Sequence, residues 1–285
     1  MPIKNTFTAA LLAAGLIGGS SVVMAQEELA NIEYTYSSPS NDDLGDDIFQ
    51  QQGKVALTLP ISSIKKGDAY NLSLGGAFQA DIWDAENSGS DVFDVYKVKV
   101  PVSAGFMVAD KSLLTLAAIP GLHTDFEEVN ENDFRVDGLG MFTYMYSKTL
   151  KLSAGLSYWE EFGDPTLGFA GGLEWQATDA LLLRLMTIDP RIQYAFTDGF
   201  RVYIGGEGTG GQWNVGEGQD GLDVQQKGYR VGLGTEFRVL RSGWLYVMGG
   251  QEVNRKLQMA VDGNESPEVD LEDSPFIQVG FRILG

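Results

Sequence analysis

The 285-residue chain contains no cysteine and one histidine, and it has 20 basic residues against 39 acidic ones. Without cysteine there is no disulfide, no thiolate metal site and no lipid-anchored N-terminal cysteine. The shortage of Lys and Arg argues against nucleic acid as a partner, because that role needs a basic face to neutralise phosphates. Beyond the first 25 residues no run of apolar residues is long enough to cross a bilayer as a helix. A helical, 3.6-residue periodicity is also missing. What recurs instead, from end to end, is a period of two.

The N-terminus has the three parts of an export signal. Lys4 supplies the positive start, "AALLAAGLIGG" (9–19) the apolar centre, and Val23-x-Ala25 a small-residue cleavage site. Residues 1–25 are therefore expected to be a cleaved signal peptide, and residues 26–285 a single domain.

Alternating segments fall at about 29–38, 48–61, 70–83, 92–108, 112–125, 134–147, 150–162, 165–177, 180–188, 191–197, 200–212, 225–240, 243–261 and 275–284. Most have roughly the ten residues that a tilted strand needs to cross a bilayer. In "YNLSLGGAFQADIW" (70–83), Leu72, Leu74, Phe78 and Ile82 share one face, and Ser73, Gln79 and Asp81 share the other. In "YKVKVPVSAGFMV" (96–108), Val98, Val100, Val102 and Phe106 oppose Lys97, Lys99 and Ser103. "LKLSAGLSYW" (150–159), "GYRVGLGTEFRV" (228–239) and "FIQVGFRILG" (276–285) repeat the scheme.

Two further features separate a membrane barrel from a soluble sandwich. Aromatic residues cluster near segment ends, among them Tyr70, Trp83, Tyr96, Tyr144, Tyr146, Tyr158, Trp175, Phe200, Tyr229, Phe237 and Trp244, as expected for rings at the water–hydrocarbon boundary. The connections also alternate between short turns and longer ones. Five of the longer ones, 39–47, 84–91, 126–133, 213–224 and 262–274, hold 20 of the 39 acids and no Lys or Arg. An up-and-down meander delivers all connections of one kind to one end, which is the loop asymmetry of outer-membrane barrels. The expected fold is an all-β, transmembrane, up-and-down antiparallel β-barrel with short periplasmic turns and acidic extracellular loops. Fourteen strands are expected, or twelve if the short hairpin 181–196 around Asp189-Pro190 fails to pair. The apolar faces then meet lipid and the polar faces meet the lumen.

The chain resembles the bacterial outer-membrane β-barrel proteins over essentially all of residues 26–285. "WLYVMGGQEVNR" (244–255), "SPFIQVGFRI" (274–283) and "RIQYAFTDGFRVYIGGE" (191–207) are similar to an uncharacterised barrel family known only as a domain of unknown function. The resemblance implies a single-chain barrel in the outer membrane, with membrane lipid, lipopolysaccharide and the barrel-insertion machinery as partners. It brings no activity, substrate or site residues.

Enzymatic and ligand motifs are weak. His123 in "GLHTDF" (121–126) is expected near the outer rim, where Asp125 on the same face would orient its imidazole. No His-x-Ser accompanies it, and no enzyme activity is expected. The glycine-rich "IGGEGTGGQW" (204–213) lacks the Lys-Ser/Thr ending of a phosphate loop, so its glycines are read as allowing strand curvature and lumen space. "DGNESPEVDLED" (262–273) lacks the glycine of a calcium loop, with Pro267 in its place. No cofactor or metal is expected. The inward charges are the functional lead: Asp81, Lys97, Lys99, Lys151, Glu174, Arg184, Arg201, Glu207, Arg230, Glu236, Arg238 and Arg282. Mixed signs on such a wall either line a pore for small hydrophilic solutes or pair into a plug, leaving a structural or surface-interaction barrel. The small inward residues Gly75, Ala77, Ser103, Gly105, Ser153, Gly155, Gly232 and Gly234 favour the pore.

Overall fold

The computed structural model describes residues 28–41, 47–64, 70–86, 93–127, 129–162, 164–215, 222–261 and 264–284. They form β1 Glu28–Asn41, β2 Asp47–Ile64, β3 Tyr70–Glu86, β4 Phe93–Lys99, β5 Val102–Ala109, β6 Ser112–Thr124, β7 Phe134–Met145, β8 Leu150–Glu161 and β9 Asp164–Gln176. They continue as β10 Leu181–Met186, β11 Arg191–Thr197, β12 Phe200–Val215, β13 Leu222–Arg238, β14 Gly243–Val261, β15 Asn264–Glu265, β16 Val269–Leu271 and β17 Ser274–Leu284.

These segments make fourteen staves. β4 and β5 are one stave broken at Val100-Pro101, where proline has no N–H to give to the ladder. β15 and β16 are short pieces laid against β14 before β17 begins. Each stave pairs antiparallel with its neighbours in sequence, and β1 pairs with β17 from Glu28↔Leu284 to Ser37↔Phe276, which closes the ring. A closed ring leaves no sheet edge in hydrocarbon, which is why this fold can span a bilayer. The hairpin that alone could have reduced the count does pair, over Leu181↔Tyr194 to Arg184↔Arg191.

The alternation turns the molecule inside out relative to a soluble domain. Exposed side chains include Ile32, Leu57, Phe78, Val98, Leu116, Leu156 and Leu233, whereas Asn31, Glu33, Thr35, Lys97, Lys99, Arg230, Glu236 and Glu252 are buried inside. At the short-turn end Tyr194, Phe196, Phe200 and Phe237 follow in series, with ring centroids 4.9, 5.6 and 5.0 Å apart, the first pair edge to face and the other two stacked, and form part of an aromatic girdle. The side chain of the expected member Tyr70 lies outside the described residues, and among the described ones two expected girdle members do not join it. Trp83 and Trp244 are buried in the interior, because both fall on the inward parity of their strands. The acidic stretches 39–47 and 84–91 lie largely outside the described residues, as do residues 1–25.

Stave height is uneven. β10 and β11 have 6 and 7 residues, whereas β12, β13 and β14 have 16, 17 and 19. The ladder between β11 and β12 therefore stops at Arg191↔Gly205, with one more bond from Gly206 N–H to Pro190 O at 3.0 Å. Above that level β12 has no wall neighbour on one side, and it leaves the wall.

Candidate functional site

The acidic stretch 213–224, expected as an external loop, is only partly a loop. Residues 213–215 and 222–224 extend β12 and β13, and they pair from Trp213↔Val224 to Val215↔Leu222. This hairpin top folds inward across the barrel mouth. Three backbone features set the bend. Gly210 has φ +97°, a conformation that favours glycine, and a Cβ there would lie 2.1 Å from Gln226 O. Gly228 stands opposite a bulge in β14, where the register slips between Lys227↔Lys256 and Tyr229↔Val253. Asn254 inside that bulge has φ +51°, the left-handed region that Asn tolerates better than most residues. The extra residue reverses the alternation of β14, so Glu252 and Arg255 both turn inward and are buried.

The folded top is a lid that reaches staves on the far side of the ring. Trp213 and Val215 pack with Trp83 of β3 and Val95 of β4, half the circumference away. Asn214 bridges Thr124 of β6 in parallel pairing. Burying Trp213 and Val215 stabilises closure by roughly 1.5–3 kcal/mol per side chain. Polar latches complete it. Lys97 Nζ donates to Gly210 O at 2.6 Å and stands 4.3 Å from the centre of the Trp213 ring. His123 Nδ1 meets Gln212 O at 3.0 Å, and the Phe162 N–H donates to Gln212 Oε1 at 2.9 Å. Arg135 pairs with Asp223 at 3.1 Å, and Lys227 pairs with Glu161 at 2.8 Å.

His123 stands at the mouth end of β6, as expected, but is not open to solvent there. It is buried under the lid, its ring is oriented by Gln212 in place of Asp125, and Nε2 has no partner among the described residues. Asp125 instead accepts the Glu127 N–H at 3.0 Å in a local turn. Beside it Asn130 and Asp133 form a reciprocal capping box on the short 3-10 turn Glu131–Asp133. Burial pushes the Asp133 carboxyl up, although the Asn130 N–H bond opposes this.

Below the lid the other charges sort into groups. Lys99 binds Asp137 at 2.8 Å. Asp81 accepts from Gln52 and Gln79, both at 2.7 Å, and Gln52 accepts from Arg230 at 2.9 Å. Arg230 lies between Glu207 at 3.5 Å and Glu252 at 3.7 Å. Lower still, Glu174 takes Lys151 at 3.3 Å and Arg184 at 3.0 Å, and Arg184 also reaches Asp189 at 2.9 Å. Near the periplasmic end Glu236 gathers Arg191 at 2.6 Å, Arg201 at 3.8 Å and Arg282. Arg191 and Arg201 stack over Tyr203 and Trp244 at 4.0 and 3.9 Å.

Arg238 departs from the expected set. It is exposed at the short-turn end, beside Trp244 and donating to Asp198 O. Its parity is inward, but its stave ends there. The remaining eleven differ in access. Asp81, Lys97, Arg230 and Glu236 are at most 2% exposed, whereas Lys151, Arg184, Arg201 and Arg282 retain 14–24% of their side-chain surface. In the lower part the basic side chains thus keep some access while Glu236 at their centre is fully buried. Arg135, Asp137, Glu161, Arg191 and Glu252 belong to these networks and are not among the residues singled out in the sequence. Strand parity in "FRVDGLGMF" and "GGQEVNR" would have found several of them.

Residues 94–283 match the model of the family described as Domain of unknown function (DUF6268). The chain belongs to that family. No curated protein matches. Among solved structures, the chain is similar to the COG4313 outer-membrane channel from Pseudomonas putida F1, with 8% identity, TM-score 0.48, and 93% of this chain and 98% of that one covered. It is also similar to the NanC porin, with 9% identity, TM-score 0.40 and coverage of 89% and 98%. A third similar structure is the calcium-bound dimer of the Salmonella typhi outer-membrane phospholipase, with 9% identity, TM-score 0.40 and coverage of 98% of both chains.

Proposed function

We propose that this barrel is a channel for small hydrophilic solutes, held here with its mouth shut. It would be delivered to the outer membrane by the signal at residues 1–25. The observation that carries the reading is the way the mouth is closed. One hairpin covers it, bent at Gly210, Gly228 and Asn254 and fastened to the far wall by a few separable bonds. Beneath it lies a polar interior whose lower charges remain partly accessible. The specific observation on the other side is the complete burial of Asp81, Glu236 and Glu252, which suits a non-conducting structural barrel.

The absence of native cysteine makes a lock easy to build. A Thr124→Cys/Asn214→Cys pair joins the bridged positions of lid and wall. In planar bilayers the oxidised protein should be silent, and reduction should restore the wild-type events. Replacing residues 211–226 by a tight turn should give steady conductance. A shortened barrel that shows heat-modifiable migration, and is therefore folded, yet passes no current would leave the structural reading in its place.

A further inference from the structure

We infer that the wall beneath the lid is a binding site for a small oxyanion, such as phosphate, and that this ligand competes with the lid. The inference rests on the channel reading only for its gating consequence; the site itself does not depend on it.

Strand register builds the patch. Lys97 of β4 pairs with His123 of β6, and in the next row Lys99 pairs with Gly121, which pairs with Arg135 of β7. Inward parity brings Lys97, Lys99, His123 and Arg135 onto one area of wall, and all four are buried. Gly121 leaves the middle of the second row without a side chain. The space over it is already filled: a Cβ there would lie 3.1 Å from Lys99 Cγ and Val98 O and 3.4 Å from His123 Nε2, so the unpartnered imidazole nitrogen lies directly over this glycine.

The lid supplies what this patch lacks. It places the Gly210 carbonyl on Lys97, the Gln212 carbonyl on His123 and the Asp223 carboxylate on Arg135. Three oxygen acceptors from one hairpin thus cap three groups on three neighbouring strands, as the oxygens of a bound anion would. Arg135 Nε still has no partner among the described residues. Because the Gln212 carbonyl can only accept, His123 Nδ1 donates to it under the lid. When the lid lifts, the ligand's oxygens take over from Gln212 O on the imidazole N–H, from Asp223 on Arg135 and from Gly210 O on Lys97. Arg and Lys are suited to this exchange, since charge-assisted bonds to an oxyanion exceed those to a neutral carbonyl.

The test uses the full barrel in detergent micelles with inorganic phosphate as probe, at ionic strength balanced with chloride. Calorimetry should show saturable binding, and the emission of Trp213, identified by its loss in Trp213→Phe, should shift as the lid leaves. Arg135→Gln and, separately, Lys97→Gln should each weaken binding about tenfold or more, whereas Arg184→Gln in the lower network should not. The barrel shortened at 211–226 should bind more tightly than wild type because its competitor is gone, and the oxidised form of the Thr124→Cys/Asn214→Cys variant should not bind. Absence of saturable binding by both wild type and the shortened barrel overturns the site. So does equal loss in Arg184→Gln and in the folded site variants. If phosphate binds as described but the shortened barrel is electrically silent, the channel reading fails and the site stands. If the shortened barrel conducts but binds no phosphate, the reverse holds.

Discussion

The two ends of the barrel interior handle charge in different ways. At the periplasmic end, one carboxylate, Glu236, is fully buried and holds Arg191, Arg201 and Arg282 from three different staves. At the mouth, Lys97, His123 and Arg135 each meet a separate acceptor, and those three acceptors ride on a single hairpin. The first arrangement loses everything if one group is removed, and the second can be undone one bond at a time. A buried charge left without its partner is far costlier than a surface pair lost, so the lower knot serves stability while the upper latches can serve motion.

The largest effect should follow from breaking the knot. Glu236→Gln leaves three guanidiniums around a neutral amide, and stability should fall by about 3–5 kcal/mol, the usual result of removing one partner of a buried pair. Urea titration of the barrel in lipid vesicles, read by heat-modifiable migration, measures it. A loss no larger than that from a surface charge would show that water already solvates the three arginines. Next in size is the lipid face. Leu233 is 70% exposed on the outer wall, and Leu233→Arg should cost roughly 2–4 kcal/mol if the residue sits near the bilayer midplane. The same change at Leu240, beyond the end of β13, should cost much less.

The mouth should respond differently. Gly210→Val sets a branched side chain at φ +97° and against the Gln226 carbonyl, a strain of about 1–3 kcal/mol. That strain falls on the bend and is relieved when the lid lifts. Global stability should therefore change little, whereas the Trp213 emission should shift and the open fraction in bilayers should rise. Equal losses of stability for Gly210→Val and Glu236→Gln would erase the distinction between the two ends.

The wall was legible from alternation because each strand faces two solvents of opposite kind, and lipid imposes that pattern on every residue it touches. All fourteen segments and the facing of Leu72, Val98, Lys97 and Arg230 follow from it. The lid was not legible for a related reason. Trp213 and Val215 sit in an acidic stretch that looks like the other external loops, and the glycines before them signal only that curvature is permitted. What directs that curvature inward is the shortness of β10 and β11, which withdraws a neighbour from β12 and lies outside any local window. Trp83 and Trp244 failed as girdle residues because closeness to a strand end does not specify a face; parity does. His123 looked accessible because nothing in "GLHTDF" announces that a hairpin from about ninety residues later will cover it.

The smallest expected effect separates latches from ornaments on the same hairpin system. Lys227 and Lys256 are cross-strand partners above the bend, so composition and register treat them alike. Their surroundings do not. Lys227 reaches across to Glu161, whose side chain is 3% exposed, at 2.8 Å. Lys256 meets Glu268 and Asp270, which are 36% and 76% exposed. An exposed pair of this kind contributes about 0–1 kcal/mol and fades with salt. Lys256→Ala should therefore change stability by no more than that and leave the lid shut, whereas Lys227→Ala takes the cation from a buried carboxylate that keeps only neutral donors, Gln225 and Thr166, among the bonds described, and should favour opening. Comparing the Trp213 emission of the two variants at low and high salt gives the answer. An opening caused equally by both would mean that loop charge in general holds the mouth, and not the contacts between lid and wall.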